Sequence, residues 1–75
     1  MNKEEFTEKV KKALEKGVYP DEDGRPSKLS EEDIDDMLEK YNYIIDAMLE
    51  RAQEFISEEH LVQATADRIW TADEC

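Results

Sequence analysis

The residues of this chain best able to do chemistry are carboxylates, and they are concentrated in one short stretch. Six acidic residues and no basic residue occupy the nine positions from Glu31 to Glu39. Nine helical residues span about 13.5 Å, which gives about one negative charge per 2 Å, near the one per ~1.7 Å of duplex DNA. The chemistry this density suggests is competition with phosphates for a basic groove on another protein.

The sequence gives little support for a metal site. Asp21-Glu22-Asp23-Gly24 resembles a calcium loop, but placing Gly24 at the sixth loop position puts Tyr19 and Ser30 where the first and last carboxylates belong. An acidic turn is therefore expected there. No metal and no cofactor is predicted.

The remaining reactive side chains lack the partner residues that metal binding or catalysis would require. His60 has no cysteine or second histidine near it in sequence, and a surface or helix-cap position is expected for it. Cys75 is the only cysteine, which excludes a disulfide framework within the chain. Paired carboxylates work as acid and base when burial separates their pKa values, whereas these lie on the polar side of the pattern. We expect no catalytic residues and a protein that is not an enzyme.

The net charge belongs to the second part of the chain. Residues 1–30 carry seven acidic and seven basic side chains, and residues 31–75 carry fourteen acidic and three basic ones, hence the whole formal charge of −11. Phosphate contacts need a basic surface, so direct binding to nucleic acid is not expected. A negative helix face is also repelled by anionic lipids, and no apolar run approaches the roughly twenty residues of a membrane span.

Glycine and proline divide the chain into two helical parts. All four lie between Gly17 and Pro26, which predicts a connector over 17–29. Before it, four apolar residues share one face of a helix from about 3 to 16: Phe6, Val10, Ala13 and Leu14. After it, Ser30 precedes three acidic residues, as an N-cap before a helix does.

From this second start, an apolar residue recurs every seven positions, which predicts packing against another helix: Ile34, Tyr41, Met48, Phe55, Val62 and Ile69. One helix over 31–70 would be about 60 Å long, far longer than the first helix can cover. Either the chain bends or reverses at 57–60, with Ser57 capping a third helix, or the helix continues and buries its end against a second copy or another protein. We favour a single all-α domain over 1–75, a small antiparallel bundle of helices at about 3–16, 31–56 and 58–71 with a frayed tail over 72–75, and dimerisation could complete its core.

Acidic residues of the second helix fall opposite the apolar stripe, and Tyr43 lies among them. We call this set the acidic ridge: Glu32, Asp33, Asp36, Glu39, Tyr43, Asp46, Glu50 and Glu54. Its carboxylates either solvate the polar face or form a binding surface, and an exposed tyrosine beside them is typical of protein interfaces.

Two functions are compatible with these patterns. In the first, the acidic ridge binds the basic nucleic-acid-binding cleft of another protein and inhibits it. Small, strongly acidic helical proteins of similar composition include phage-encoded inhibitors of host defence, among them anti-CRISPR and anti-restriction DNA mimics. This resemblance is one of composition and shape, with no motif in common.

In the second, the chain is a small dimeric structural or regulatory protein, such as an adaptor or an antitoxin-like partner. It would bind through apolar residues at the end of the stripe: Phe55, Val62, Ile69 and Trp70. Because the chain has one cysteine and no secretory signal at its start, we expect an intracellular, cytoplasmic protein, which for a phage inhibitor means the host cell.

Overall fold

The computed structural model describes residues 1–74, and four helices packed around a common core account for most of them. In chain order they are α1 (Lys3–Lys16), α2 (Glu31–Lys40), α3 (Asn42–Glu50) and α4 (Glu58–Glu74). A 3-10 turn, Ala52–Glu54, follows α3. The all-α bundle predicted from the sequence is confirmed.

The first helix has the predicted limits, and hydrogen bonds define both of its ends. The Asn2 side chain accepts a hydrogen bond from the Glu5 amide at 2.8 Å, which satisfies one of the free donors of the first turn. At the other end the Gly17 amide donates to the Ala13 carbonyl. The apolar face of α1 lies in the core, as its spacing predicts.

The predicted helix over 31–56 is wrong in one respect, because the chain breaks it into α2, α3 and the 3-10 turn. Tyr41 leaves the helical conformation at φ −106° and ψ 28° although neither glycine nor proline is present there. A straight helix of that length would carry its apolar face beyond α1, and redirecting the axis at Tyr41 keeps both halves on the core. The described residues accordingly measure 37 × 23 × 21 Å overall.

The question of residues 57–60 is settled in favour of a new helix. The chain bends over 55–57, and the Ser57 hydroxyl then accepts the His60 amide at 3.2 Å as the N-cap of α4. The helix ends at Glu74 and not near residue 71, so residues 72–74 are helical where a frayed tail was expected. Cys75 lies outside the described residues.

The connector is more ordered than a plain loop. Two short strands, β1 (Tyr19–Pro20) and β2 (Pro26–Ser27), pair antiparallel with Tyr19 opposite Ser27. Gly24 adopts φ 80° in the turn between them, a conformation that favours glycine. The Asp21 carboxylate accepts the amides of Asp23 and Arg25, both at 2.9 Å, so the acidic turn that resembled a calcium loop closes the hairpin.

The core draws on all four helices. Side chains with no more than 9% of their surface exposed form one cluster, which comprises Phe6, Val10, Leu14, Ile34, Met37, Leu38, Tyr41, Ile45, Met48, Leu61, Ala66 and Ile69. Thr65 is also buried, and its hydroxyl donates to the Leu61 carbonyl at 2.7 Å. The apolar residues of the heptad stripe thus pack against one another and against α1 within a single chain.

Candidate protein-interaction surface

The acidic ridge begins at the N-terminus of α2, and the local sequence explains why acids accumulate there. The Ser30 hydroxyl accepts the Asp33 amide at 3.2 Å, which starts the helix. Carboxylates in this first turn are favoured by the partial positive charge of the helix N-terminus. The buried face of α2, formed by Ile34, Met37 and Leu38, then turns the intervening acidic side chains outward.

All eight residues of the acidic ridge are exposed. The break at Tyr41 divides them among three elements: Glu32, Asp33, Asp36 and Glu39 lie on α2, Tyr43, Asp46 and Glu50 on α3, and Glu54 in the 3-10 turn. The sequence interpretation places the ridge on one continuous helix. That geometry is wrong, because the ridge extends over two separate helices and a 3-10 turn.

Two ridge carboxylates are neutralised by basic neighbours. Asp46 forms a salt bridge with Lys3 at 2.9 Å, which joins α3 to the start of α1. Glu54 pairs with Arg51 at 3.1 Å, and the hydrogen bond from that guanidinium lowers the pKa of Glu54 below its ordinary value. These contacts reduce the negative charge at the α3 end of the ridge.

The other ridge carboxylates make no salt bridge with any residue in 1–74; they are Glu32, Asp33, Asp36, Glu39 and Glu50. Lys40, which directly follows Glu39, lies with its ammonium 5.6 Å from the centre of the Tyr41 ring. This cation–π contact holds the lysine over an aromatic face. Four of the five carboxylates without a salt bridge lie on α2, which makes α2 the most negative part of the ridge.

The first helix, which carries five lysines and four glutamates, supplies the basic residues that pair with acids outside the ridge. Lys11 lies 3.1 Å from Asp35 and 3.8 Å from Glu31, and its hydrogen bond with Asp35 raises the pKa of the lysine. Lys9 pairs with Glu58 at the start of α4. The acids that face α1 therefore lie against lysines, whereas those on the outer face of α2 do not.

Tyr43 is the aromatic residue of the ridge and 66% of its surface is exposed. Its ring lies 6.3 Å from that of Tyr41, with the two planes tilted by 58°. Buried Tyr41 thus supports one side of an exposed ring that adjoins the carboxylates. A supported and exposed aromatic ring is a common contact residue in protein interfaces.

The apolar set proposed for an oligomer or alternative partner is largely used within the chain. Ile69 is fully buried in the core, and Phe55, Val62 and Trp70 are half-buried. The Trp70 ring stacks on Tyr19 with centroids 5.1 Å apart, which fixes the hairpin on α4. Burial of Tyr19 raises the pKa of its hydroxyl, with a further contribution from the charge of Asp67.

Side-chain geometry also locates the remaining candidate residues. His60 is exposed and its Nδ1 lies 3.2 Å from the Ser57 hydroxyl, within the α4 cap. Among residues 1–74, no three histidine, cysteine, aspartate or glutamate side chains converge as a metal site would require. In the same part of the chain, no helix is long and apolar enough to cross a bilayer.

Two features of the surface need the tertiary structure to be found. The Lys3–Asp46 salt bridge joins residues far apart in sequence, so no local spacing predicts it. A groove between α1 and α4, with a cavity volume of about 570 Å³, is likewise formed by helices from opposite ends of the chain. The pairing of Arg51 with Glu54, by contrast, follows from their i to i+3 spacing.

Comparison of the chain with protein-family models, with curated proteins and with solved structures finds no match in any of the three.

Proposed function

We propose that this protein is a non-enzymatic inhibitor that binds a nucleic-acid-handling protein by placing the α2 part of the acidic ridge in its basic cleft. One observation carries the proposal. Four exposed carboxylates without a salt bridge in residues 1–74 follow one another on the outer surface of α2: Glu32, Asp33, Asp36 and Glu39.

The spacing of these four carboxylates suits a phosphate-binding surface. The rise along the helix axis from residue 32 to residue 39 is about 10.5 Å, so the four charges are on average about 3.5 Å apart along the axis. The phosphates of one DNA strand advance by about 3.4 Å per nucleotide along the duplex axis. Because Lys11 pairs with Asp35 and also lies near Glu31, the outer face of α2 imitates one strand more closely than a whole duplex.

Occupation of the cleft is the mechanism of inhibition. Lysine and arginine side chains that hold phosphates would pair with the ridge, and nucleic acid would be excluded by charge and by volume. Long-range attraction makes such association fast and sensitive to salt. Tyr43 adds an aromatic contact beside the charges. Inhibition of a host defence nuclease by a phage protein, of the anti-CRISPR type, is an activity of this kind.

The alternative of an adaptor that binds through Phe55, Val62, Ile69 and Trp70 has less support. A partner cannot reach Ile69 unless the core opens, and Trp70 already stacks on Tyr19. The area left on Phe55 and Val62 is small for an interface that must act alone.

The test is capture of partners from the source cell at low and at high salt, followed by mass spectrometry. The ridge variant combines Glu32→Gln, Asp33→Asn, Asp36→Asn and Glu39→Gln. The matched control makes the same change of net charge at exposed acids elsewhere: Glu15→Gln, Glu22→Gln, Asp23→Asn and Asp73→Asn.

We expect the native chain and the control to capture a nucleic-acid-binding protein at low salt, and the ridge variant to lose it. Screening at high salt should release the partner from both capturing chains, because exposed charges interact over a shorter range as ionic strength rises. Added single-stranded or duplex DNA should displace the partner as well. Equal capture by the ridge variant, or a complex that resists both salt and DNA, would contradict the mechanism.

A further inference from the structure

The groove between α1 and α4 has walls of opposite charge. Lys9, Lys12 and Lys16 line one side, at a spacing of i, i+3 and i+7 that puts them on one face of α1. Glu58 and Glu59, in the first turn of α4, line the other side. Lys9 and Glu58 pair across the groove, while Lys12 and Lys16 form no salt bridge with residues 1–74.

Between these walls the surface is apolar. Ala13 and Val62 line the groove and are partly buried against the core. At one end, Gly17 lines the groove and the next residue, Val18, is 59% exposed. At the other end, Glu58 follows two residues after Ile56, whose side chain is 93% exposed.

The exposure of Ile56 is unusual for its position in the chain. It directly precedes the N-cap residue Ser57, where an apolar side chain ordinarily packs against the fourth residue of the helix, here Leu61. Leu61 is buried in the core without a contact from Ile56, and the Ile56 side chain is therefore exposed to solvent. An exposed β-branched residue beside a groove with an apolar floor is available for contact between molecules.

We propose that this groove is the interface of a homodimer, in which two copies pack their α1 and α4 walls against each other. A two-fold axis that runs along the groove places the lysine wall of each copy opposite the glutamate wall of the other. An axis across the groove would instead oppose lysines to lysines. Charge therefore selects the first arrangement, in which every wall contact is made twice.

The same axis determines which apolar residues meet. The axis exchanges the α1 and α4 sides while it keeps each end of the groove at the same end. Ile56, which leads into α4, therefore lies near the Lys9 side of the second copy, and Val18, which follows α1, lies near α4 of the second copy. Ala13 of one copy lies over Val62 of the other. The described residues expose 5305 Å², and a standard interface of about 800 Å² per copy would cover a modest part of it. The ridge on α2 and α3 is not part of the interface, and the inference does not depend on the proposed function.

Complementary charge variants test the wall contacts directly. Of the two lysines without a salt bridge, Lys12 is the better target. It is one helical turn from Lys9, and Lys9 pairs with Glu58, so Lys12 lies close to the height of the glutamate wall along the groove. Lys12→Glu opposes like charges across the axis, and so does Glu59→Lys. Each variant alone should therefore be monomeric where the native chain is dimeric.

When the two variants are mixed, the carboxylate introduced at position 12 of one chain faces the ammonium introduced at position 59 of the other. The native residues at the same two positions form a second pair of opposite charges. The mixture should therefore recover the dimer mass. Sedimentation at about 100 µM protein distinguishes these states, since contacts of this size commonly give micromolar affinities.

Cross-linking tests the position of the axis. In a Cys75→Ser background, a chain with Ala13→Cys mixed with a chain with Val62→Cys should form a disulfide-linked dimer on mild oxidation, because these two positions face each other across the axis. Tyr43→Cys is the control, since its side chain is exposed but lies on α3 and does not line the groove. Ile56→Lys should abolish dimerisation, because it opposes the lysine side of the second copy, and it should leave the thermal midpoint of the monomer unchanged, because Ile56 is almost fully exposed.

Three results would overturn the proposal: a native chain that sediments as a monomer up to about 1 mM, a dimer that survives Ile56→Lys, or a mixture of the two charge variants that stays monomeric.

Discussion

The hydroxyl of Tyr41 donates a hydrogen bond to the backbone carbonyl of Ala72 at 3.2 Å. Tyr41 is the residue at which α2 gives way to α3, and Ala72 lies in the last turn of α4, where carbonyls have no partner within the helix. One side chain therefore satisfies the end of α4 and fixes the break that divides the acidic ridge.

Tyr41→Phe should lower the free energy of unfolding by about 1 kcal/mol, the usual loss for one partly buried hydrogen bond. Urea unfolding followed by circular dichroism measures it. Tyr43→Phe is the matched control and should leave stability unchanged, because that ring is mostly exposed. Equal effects of the two substitutions would show that the Tyr41 hydroxyl contributes nothing to the fold.

Gly17→Ala should destabilise the hairpin although its backbone conformation, φ −70°, suits any residue. A Cβ atom at this position would lie 2.5 Å from the Tyr19 ring, so the ring must move, and its stacking on Trp70 changes. Overpacking of this kind costs about 1–3 kcal/mol. Trp70 is the only tryptophan, and its fluorescence reports directly on the stack. An unchanged emission spectrum together with native stability would contradict the role assigned to Gly17.

Helix starts could be predicted from the sequence because they depend on local hydrogen bonds. Asn2, Ser30 and Ser57 each cap the helix that follows, and a cap needs only its own first turn. The break at Tyr41 has no such local signal. It results from packing against α1 and α4, which overrides the helical preference of a stretch without glycine or proline.

For the candidate surface, the exposure of the residues could be predicted from the sequence, but their salt bridges to distant helices could not. Helical spacing placed all eight ridge residues on the exposed side, and the structure agrees. Spacing could not reveal that Lys3 pairs with Asp46, or that Lys11 lies against Asp35, since those contacts join α1 to distant helices. The tertiary structure thus moves the most negative part of the ridge to the outer face of α2.

Stability should fall as pH rises through about 10–11, where lysine and tyrosine ordinarily lose their protons. The pKa of Lys11 is raised in the folded chain by its hydrogen bond with Asp35, so its contribution is complete below the unfolded pKa and disappears above the folded one. Burial raises the pKa of Tyr19, and the same sign applies because the folded state favours its neutral form. Urea unfolding at pH 9 and pH 11 measures the loss.

Lys11→Met should make that alkaline loss smaller, because one of the two groups no longer titrates. Lys28→Met is a suitable control, since Lys28 is exposed and forms no salt bridge with residues 1–74. An identical pH dependence in the native chain and in Lys11→Met would exclude the Lys11–Asp35 contact as its source.

Neutralising the ridge where helices end should stabilise the fold while it weakens partner binding. Glu39 lies in the last turn of α2 and Glu50 ends α3, where the partial negative charge of the helix C-terminus disfavours a carboxylate. Glu39→Gln and Glu50→Gln should therefore each raise the free energy of unfolding by about 0.3–1 kcal/mol at low salt. Glu32→Gln, in the first turn of α2, should have the opposite sign.

Thermal unfolding at low and high salt measures all three substitutions, and the differences between them should shrink as salt screens the charges. If Glu39→Gln and Glu50→Gln stabilise the chain but impair capture of the partner, the carboxylates are retained for binding at a cost to stability. If both substitutions leave capture intact, the solvating role of the ridge is favoured over the proposed one.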